Sequence, residues 1–362
     1  MSTPPGQMPP PPTGPPWGPP PANSPRTARA TKWVLGGLAL LVVVVVTVAV
    51  TFLVTRSDPE HGRHSAGPPP GPIPDAAEVA SAGDDGPIEI ITKDPTCADW
   101  APVINAFAAI ASQGWDSRDP TTPAAQWNSE QRKQYADIAT AMRKAADETS
   151  ALSVETPHRV MRELYEQSVA YWHAYVEALP AYQPSNDHLA RVATGTSNAV
   201  TWICSAIEYG SAAARAPLTV PSPAPLHLES PGDPEDPMRF ITESDAPPIC
   251  PEWISTVDRF DVQTAEWLST DPNLPVEQWS PQQRSIWTQV SNVMSSNANQ
   301  IQDIGMRSEN AIFDDFAALA AQYRRAFVQS FPSYVPADGH LANVAAYLVA
   351  TNDQACKAAG VR

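Results

Sequence analysis

LPAYQPSNDHLARVA, Leu179–Ala193, returns 152 residues later as FPSYVPADGHLANVA, Phe331–Ala345. Both satisfy P-x-Y-x-P-x-x-x-H-L-A-x-V-A, and the agreement extends well beyond them. At the same offset Asp119-Pro120 falls on Asp271-Pro272, Gln126-Trp127 on Gln278-Trp279, Tyr171 on Tyr323 and Cys204 on Cys356. One residue is lost near the start, so CADW at Cys97 meets CPEW at Cys250. The lead-ins EIITKD (89–94) and RFITES (239–244) also correspond. A unit of roughly 110 residues is therefore duplicated, and a repeat of that size is a domain rather than a solenoid turn.

Each copy reads as four helices. The first is short, from Cys97 to about Gly114, and its copy opens at Cys250. The second starts at Asn128 or Ser280; in the later copy Ser280 caps, Pro281 takes the first helical position and Gln283 completes a capping box. Its apolar residues fall three and four apart, as on one helix face: Tyr135, Ile138, Met142, Ala145, Thr149 and Leu152, against Trp287, Val290, Met294, Asn297, Ile301 and Ile304. The third helix repeats the spacing through Met161, Leu164, Ser168, Tyr171, Tyr175 and Leu179, against Phe313, Phe316, Ala320, Tyr323, Phe327 and Phe331. The fourth carries Leu189, Val192, Thr196, Ala199 and Ile203. Aromatics at this spacing belong by default to a packed core. No alternating run is long enough for a sheet, so the class is all-α, and four helices with short loops imply an up-down-up-down bundle.

That topology places the start of the first helix and the end of the fourth at one pole. Each copy opens and closes with a cysteine, so the expected bridges are Cys97–Cys204 and Cys250–Cys356. No paired C-x-x-C spacing points to a metal.

Disulfides imply an oxidising compartment, and Trp33–Val54 supplies the route to it. These 22 residues carry no charge and would span about 33 Å as a helix, enough for a hydrocarbon core of about 30 Å. A cleaved signal peptide would have a shorter apolar region and a small-x-small site, and neither is present. Arg26, Arg29 and Lys32 crowd the N-terminal flank, which puts that end in the cytoplasm. The expected layout is a proline-rich disordered cytoplasmic tail (1–32), a single transmembrane helix in the plasma membrane (33–55), an extracytoplasmic stalk (56–87), helical domain 1 (88–213), an acidic proline-rich disordered linker (214–237) and helical domain 2 (238–362). Residues 1–56 carry four basic residues and no acid, while the whole chain is at −16, so the exported part is strongly acidic and repels nucleic acid.

The proline-rich tail, the Val/Leu-rich span and the cysteine-poor exported part resemble the proline-rich single-pass membrane proteins of actinomycetes. The resemblance covers roughly the first 75 residues. It implies an envelope component and carries over no functional residue.

Catalytic patterns are missing: there is no G-x-S-x-G, no H-E-x-x-H, no phosphate loop and no calcium loop. Of seven histidines only His188 and His340 recur, each opening the fourth helix, where the macrodipole favours neutral imidazole. Tyr182 and Tyr334 sit between the two prolines of the preceding loop. A stiff loop with a phenol at its tip is a candidate partner-binding surface; the alternative is that Tyr and His simply fix the turn. The expectation is a non-enzymatic envelope protein without cofactor or metal, whose duplicated domains bind a protein or cell-wall partner. The alternative is small-molecule or lipid binding between the helices.

Overall fold

The computed structural model describes residues 79–361, which lie within one compact unit. The expected tail, the span and most of the stalk lie outside the described residues. Among the described residues no helix is long and apolar enough to cross a membrane.

Nine α-helices and no strand are present among the described residues. The first copy contains α1 (Cys97–Ala111), α2 (Ser129–Glu155), α3 (Arg159–Ala178) and α4 (Asp187–Glu208), followed by a short α5 (Ser211–Arg215). The second contains α6 (Cys250–Thr264), α7 (Pro281–Met306), α8 (Ala311–Ser330) and α9 (Gly339–Ala358). In each copy successive helices pack on one another and the fourth returns to the first. Both expected bridges close that circuit, Cys97–Cys204 and Cys250–Cys356.

Local signals set the helix starts. Asn128 accepts from the Gln131 amide while Gln131 Oε1 accepts from the Asn128 amide, a complete capping box. The box expected at Ser280 is only half formed. Ser280 Oγ accepts from the Gln283 amide, but the Gln283 side chain donates instead to the Asp271 carbonyl, 3.1 Å away. The loop carbonyl wins because it lies within reach and has no helix partner of its own.

The apolar stripes read from the sequence are buried throughout. The third helix goes further: α3 is buried on every side from Arg159 to Trp172. Tyr175 packs within its own bundle against Trp115 and Tyr182, and other faces meet the second copy, the lead-ins and the linker. The buried apolar residues of both copies form one continuous core.

Reciprocal contacts build the seam between the copies. α4 packs along α9, and α3 meets α8. His340 stacks on Trp202, ring centroids 5.3 Å apart, while His188 Nδ1 lies 2.8 Å from Gln354 Oε1. Trp202 and Gln354 are equivalent positions at the repeat offset, so each histidine touches the same place on the other copy. This i-to-j and j-to-i pattern is that of a twofold interface, here within one chain. At Gly195 the backbones close up: a Cβ there would run into the Thr351 hydroxyl and lie 3.3 Å from Thr351 Cα.

The linker is laid against the helices, which corrects the expectation of a disordered segment. Ser222 is buried; its Oγ accepts from Gln322 and Gln302, and its amide donates to the Ile88 carbonyl. Further on, Arg162 donates to the Glu229 carbonyl. Those carbonyls and amides would otherwise be unpaired groups beside a core, so prolines do not prevent docking where side chains supply the missing partners.

Candidate functional site

The repeated loop is a lock on the pole of each bundle. Tyr182 and Tyr334 are 0% exposed. Tyr182 donates to the Pro120 carbonyl at 2.9 Å and Tyr334 to the Pro272 carbonyl at 2.8 Å. In return the Ala124 and Val276 amides donate to the carbonyls of Tyr182 and Tyr334, both at 3.0 Å. Trp127 stacks on Tyr135 at 3.8 Å and tilts over Tyr182; Trp279 tilts over both Trp287, at 4.2 Å, and Tyr334. A ring enclosed this completely has no area to offer a partner, so the two tyrosines hold the loop that crosses the pole. Burial lifts both phenols far above their ordinary range.

His188 and His340 do not join those tyrosines in a common surface. They lie in the seam, half-buried against the opposite copy. Burial depresses His340 to about 4, against a smaller upward pull from Asp338. The first copy adds a salt bridge of its own beside His188. Burial alone would raise Asp187, but Arg118 and Arg191 outweigh it and hold the carboxyl below its usual range. Glycine occupies the position of Asp187 in the second copy, so that pair is not duplicated. Arg215 instead crosses from the first copy to clasp Asp338 with two 2.8 Å bonds.

Among the described residues no group of three or more His, Cys, Asp or Glu side chains is placed to hold a metal ion.

The surface feature that stands out is a groove of about 540 Å³ in the first copy, between α1 and α2. Val103, Phe107, Ile110, Ala141 and Ala145 form its floor, and Asp137, Lys144 and Glu148 line the α2 lip. The opposite lip is uncharged, with Ala106 and Gln113 exposed along it. The same positions in the second copy are differently furnished. Ala145 is replaced by Asn297, Trp172 by Arg324 and Ala106 by Arg259. The Arg324 guanidinium lies 4.2 Å over the Phe260 ring, the counterpart of Phe107, and bonds to Asn297 Oδ1. Burial pushes Arg324 down to about 10. A polar plug thus occupies in one copy the region that stays apolar in the other.

Sequence periodicity passed over this groove because its floor belongs to the same stripes that build the core. The signal lay in the positions where the copies disagree, Ala145 against Asn297 and Ala106 against Arg259.

Comparison with known proteins gives two findings. The profile of a family described as mycobacterial ESX-1 associated protein matches residues 79–360. An uncharacterised protein of Mycolicibacterium smegmatis (strain MKD8) is 44% identical over 371 residues, covering 99% of this chain and 97% of its own length. No solved structure matches.

Proposed function

Because the chain belongs to the mycobacterial ESX-1 associated protein family, we propose that it is a non-enzymatic component of the cell envelope, working in association with ESX-1 by binding another protein. Residues 33–55 anchor it in the plasma membrane, and the double bundle is displayed outside. The partner contributes an amphipathic helix, which lies in the groove between α1 and α2.

The observation that carries this reading is the difference between the copies. Duplication places equivalent positions in both copies, and polar residues fill in the second the region that stays apolar in the first. A bundle needs neither arrangement for its core, since both copies bury their stripes. The groove runs from Val103 to Gln113, and its helical part, from Val103 to Ala111, is about 12 Å long at about 1.5 Å per residue. That is the length over which an i, i+3/i+4, i+7 anchor set engages. One uncharged lip and one lip carrying both signs suit a helix with an apolar face and a mixed polar edge.

The test is site-specific photocrosslinking in the native envelope, with the photoreactive residue at Ala106 or, for comparison, at Arg259. Adducts to a protein from position 106 and none from 259 are expected. Equal adducts from both positions would overturn the assignment. An adduct to an acyl chain from position 106 would establish the lipid-binding reading instead, for which a mainly apolar lining is also suited.

A further inference from the structure

Glu163 and Asp315 are the same position in the two copies, and the fold brings them together at the centre of the seam. Both are fully buried, at 0% exposure. Asp315 is anchored by Arg159, whose Nε donates to it at 2.6 Å. Arg159 is occupied on its other side by Asp84, through its backbone amide at 2.7 Å and its guanidinium.

Glu163 has no such anchor. No N–H or hydroxyl donates to either of its oxygens, and the nearest cation, Arg162, stands 3.6 Å away and is shared with Glu166. A buried carboxylate without a donor costs several kcal/mol. The group that does face it is the carboxyl of Asp315, which as an anion could only repel it. Two carboxyls in that position become a favourable pair when one proton lies between them.

We propose that Glu163 and Asp315 share a single proton across the seam between the copies, so that the seam is tight while the proton is held and loosens when it is lost. One proton leaves to solvent on opening and no other bond changes. Glu163 is the donor, because Arg159 already donates to Asp315 and no group donates to Glu163.

The surroundings favour this in sign. Burial raises Glu163 well above the ordinary carboxylate range and Asp315 adds to it, while Arg162 and Arg159 pull down less strongly. Asp315 itself is raised by burial, against Arg159. Further out, burial lifts Glu166 to about 7, with the linker's Glu229 adding and Arg162 opposing. Burial also lifts Asp314 to about 6, with Asp315 adding and Arg159 and His227 opposing. Asp84 completes the charged groups facing the pair. Glu163 has a folded-state value above its unfolded 4.5, so it stabilises the fold below 4.5, and that contribution is lost as pH rises through the folded value.

The experiment compares the full chain in detergent with its Glu163→Gln variant, whose amide supplies permanently the donor that the proton supplies conditionally. Unfolding is followed from pH 4.5 to 9, with Glu166→Gln as a control for the neighbouring acid. The wild-type folding constant, relative to the variant's, is expected to fall about tenfold per pH unit until the shared proton is gone. Amides of α3 and α8 should exchange faster at the upper end in the wild type only. A constant ratio across the range would overturn the proposal. Infrared spectroscopy of the wild type removes any dependence on the variant folding. A protonated carboxyl band at pH 7 that persists in Glu166→Gln supports the shared proton, and its absence refutes it.

Discussion

Tyr171 donates its phenolic proton to the carbonyl of Ile241, 3.1 Å away, and so ties the third helix of one copy to the lead-in of the other. The equivalent Tyr323 reaches the carbonyl of Ile91, the matching residue of the first lead-in. Each copy therefore holds the other's lead-in. Phe240, next to Ile241, packs against both Tyr171 and Phe316. An exchange of this kind explains why the lead-ins are duplicated with the domains: without them the seam side of α3 and α8 would carry unpaired hydroxyls and exposed rings.

The lead-in exchange predicts a cost that crosses the seam. Tyr171→Phe removes one buried hydrogen bond and leaves the Ile241 carbonyl unpaired, which should lower stability by about 1–3 kcal/mol. The loss should appear in urea unfolding as one cooperative transition for both copies. Two separate transitions would show that the copies unfold independently.

At the poles, Tyr182→Phe and Tyr334→Phe should each cost about 1 kcal/mol, and the corresponding alanine variants about 3–5 kcal/mol. Thermal unfolding measures both. An alanine variant with unchanged stability would mean that the ring is not part of the core.

The seam also limits residue size. Gly195→Ala puts a methyl against Thr351, whose Cα would be 3.3 Å from it. Because backbone cannot yield as a flexible side chain does, α4 and α9 must separate, at about 1–3 kcal/mol. The double variant Gly195→Ala/Thr351→Ala should recover part of this, since the hydroxyl is gone and only the backbone contact remains.

His340 makes stability sensitive to acid. Its folded value of about 4 lies below the ordinary 6.5, so the unfolded chain binds more protons between those values. Stability from this residue is complete above 6.5 and declines as pH falls toward 4. His340→Gln should flatten that part of the pH–stability curve. An unchanged slope would assign the acid sensitivity to another group.

The two disulfides should differ in reactivity. Cys250 and Cys356 are both fully buried, whereas Cys97 and Cys204 are partly exposed. Mild reductant under native conditions should open Cys97–Cys204 first, as read by alkylation and peptide mass mapping. Opening either loop should cost about 2–5 kcal/mol.

Sequence alone determined the duplication, the all-α class, the helix faces and both disulfide pairings. Those properties follow from local periodicity, from caps such as Asn128, and from the closure that an up-and-down bundle imposes on its ends. Tertiary structure decided the rest. Tyr182 and His188 are six residues apart and looked like one surface, yet one ring is sealed in its own pole and the other faces the second copy. Glu163, Glu166 and Gln167 lie off the apolar stripe of α3, and they are buried because α8, the lead-ins and the linker cover them. The groove is visible only when Ala145 and Asn297 are compared in place. Periodicity reports which side of a helix avoids water within its own bundle. It carries no term for a second bundle, because the partners that bury that face lie some 70 to 150 residues away in the chain.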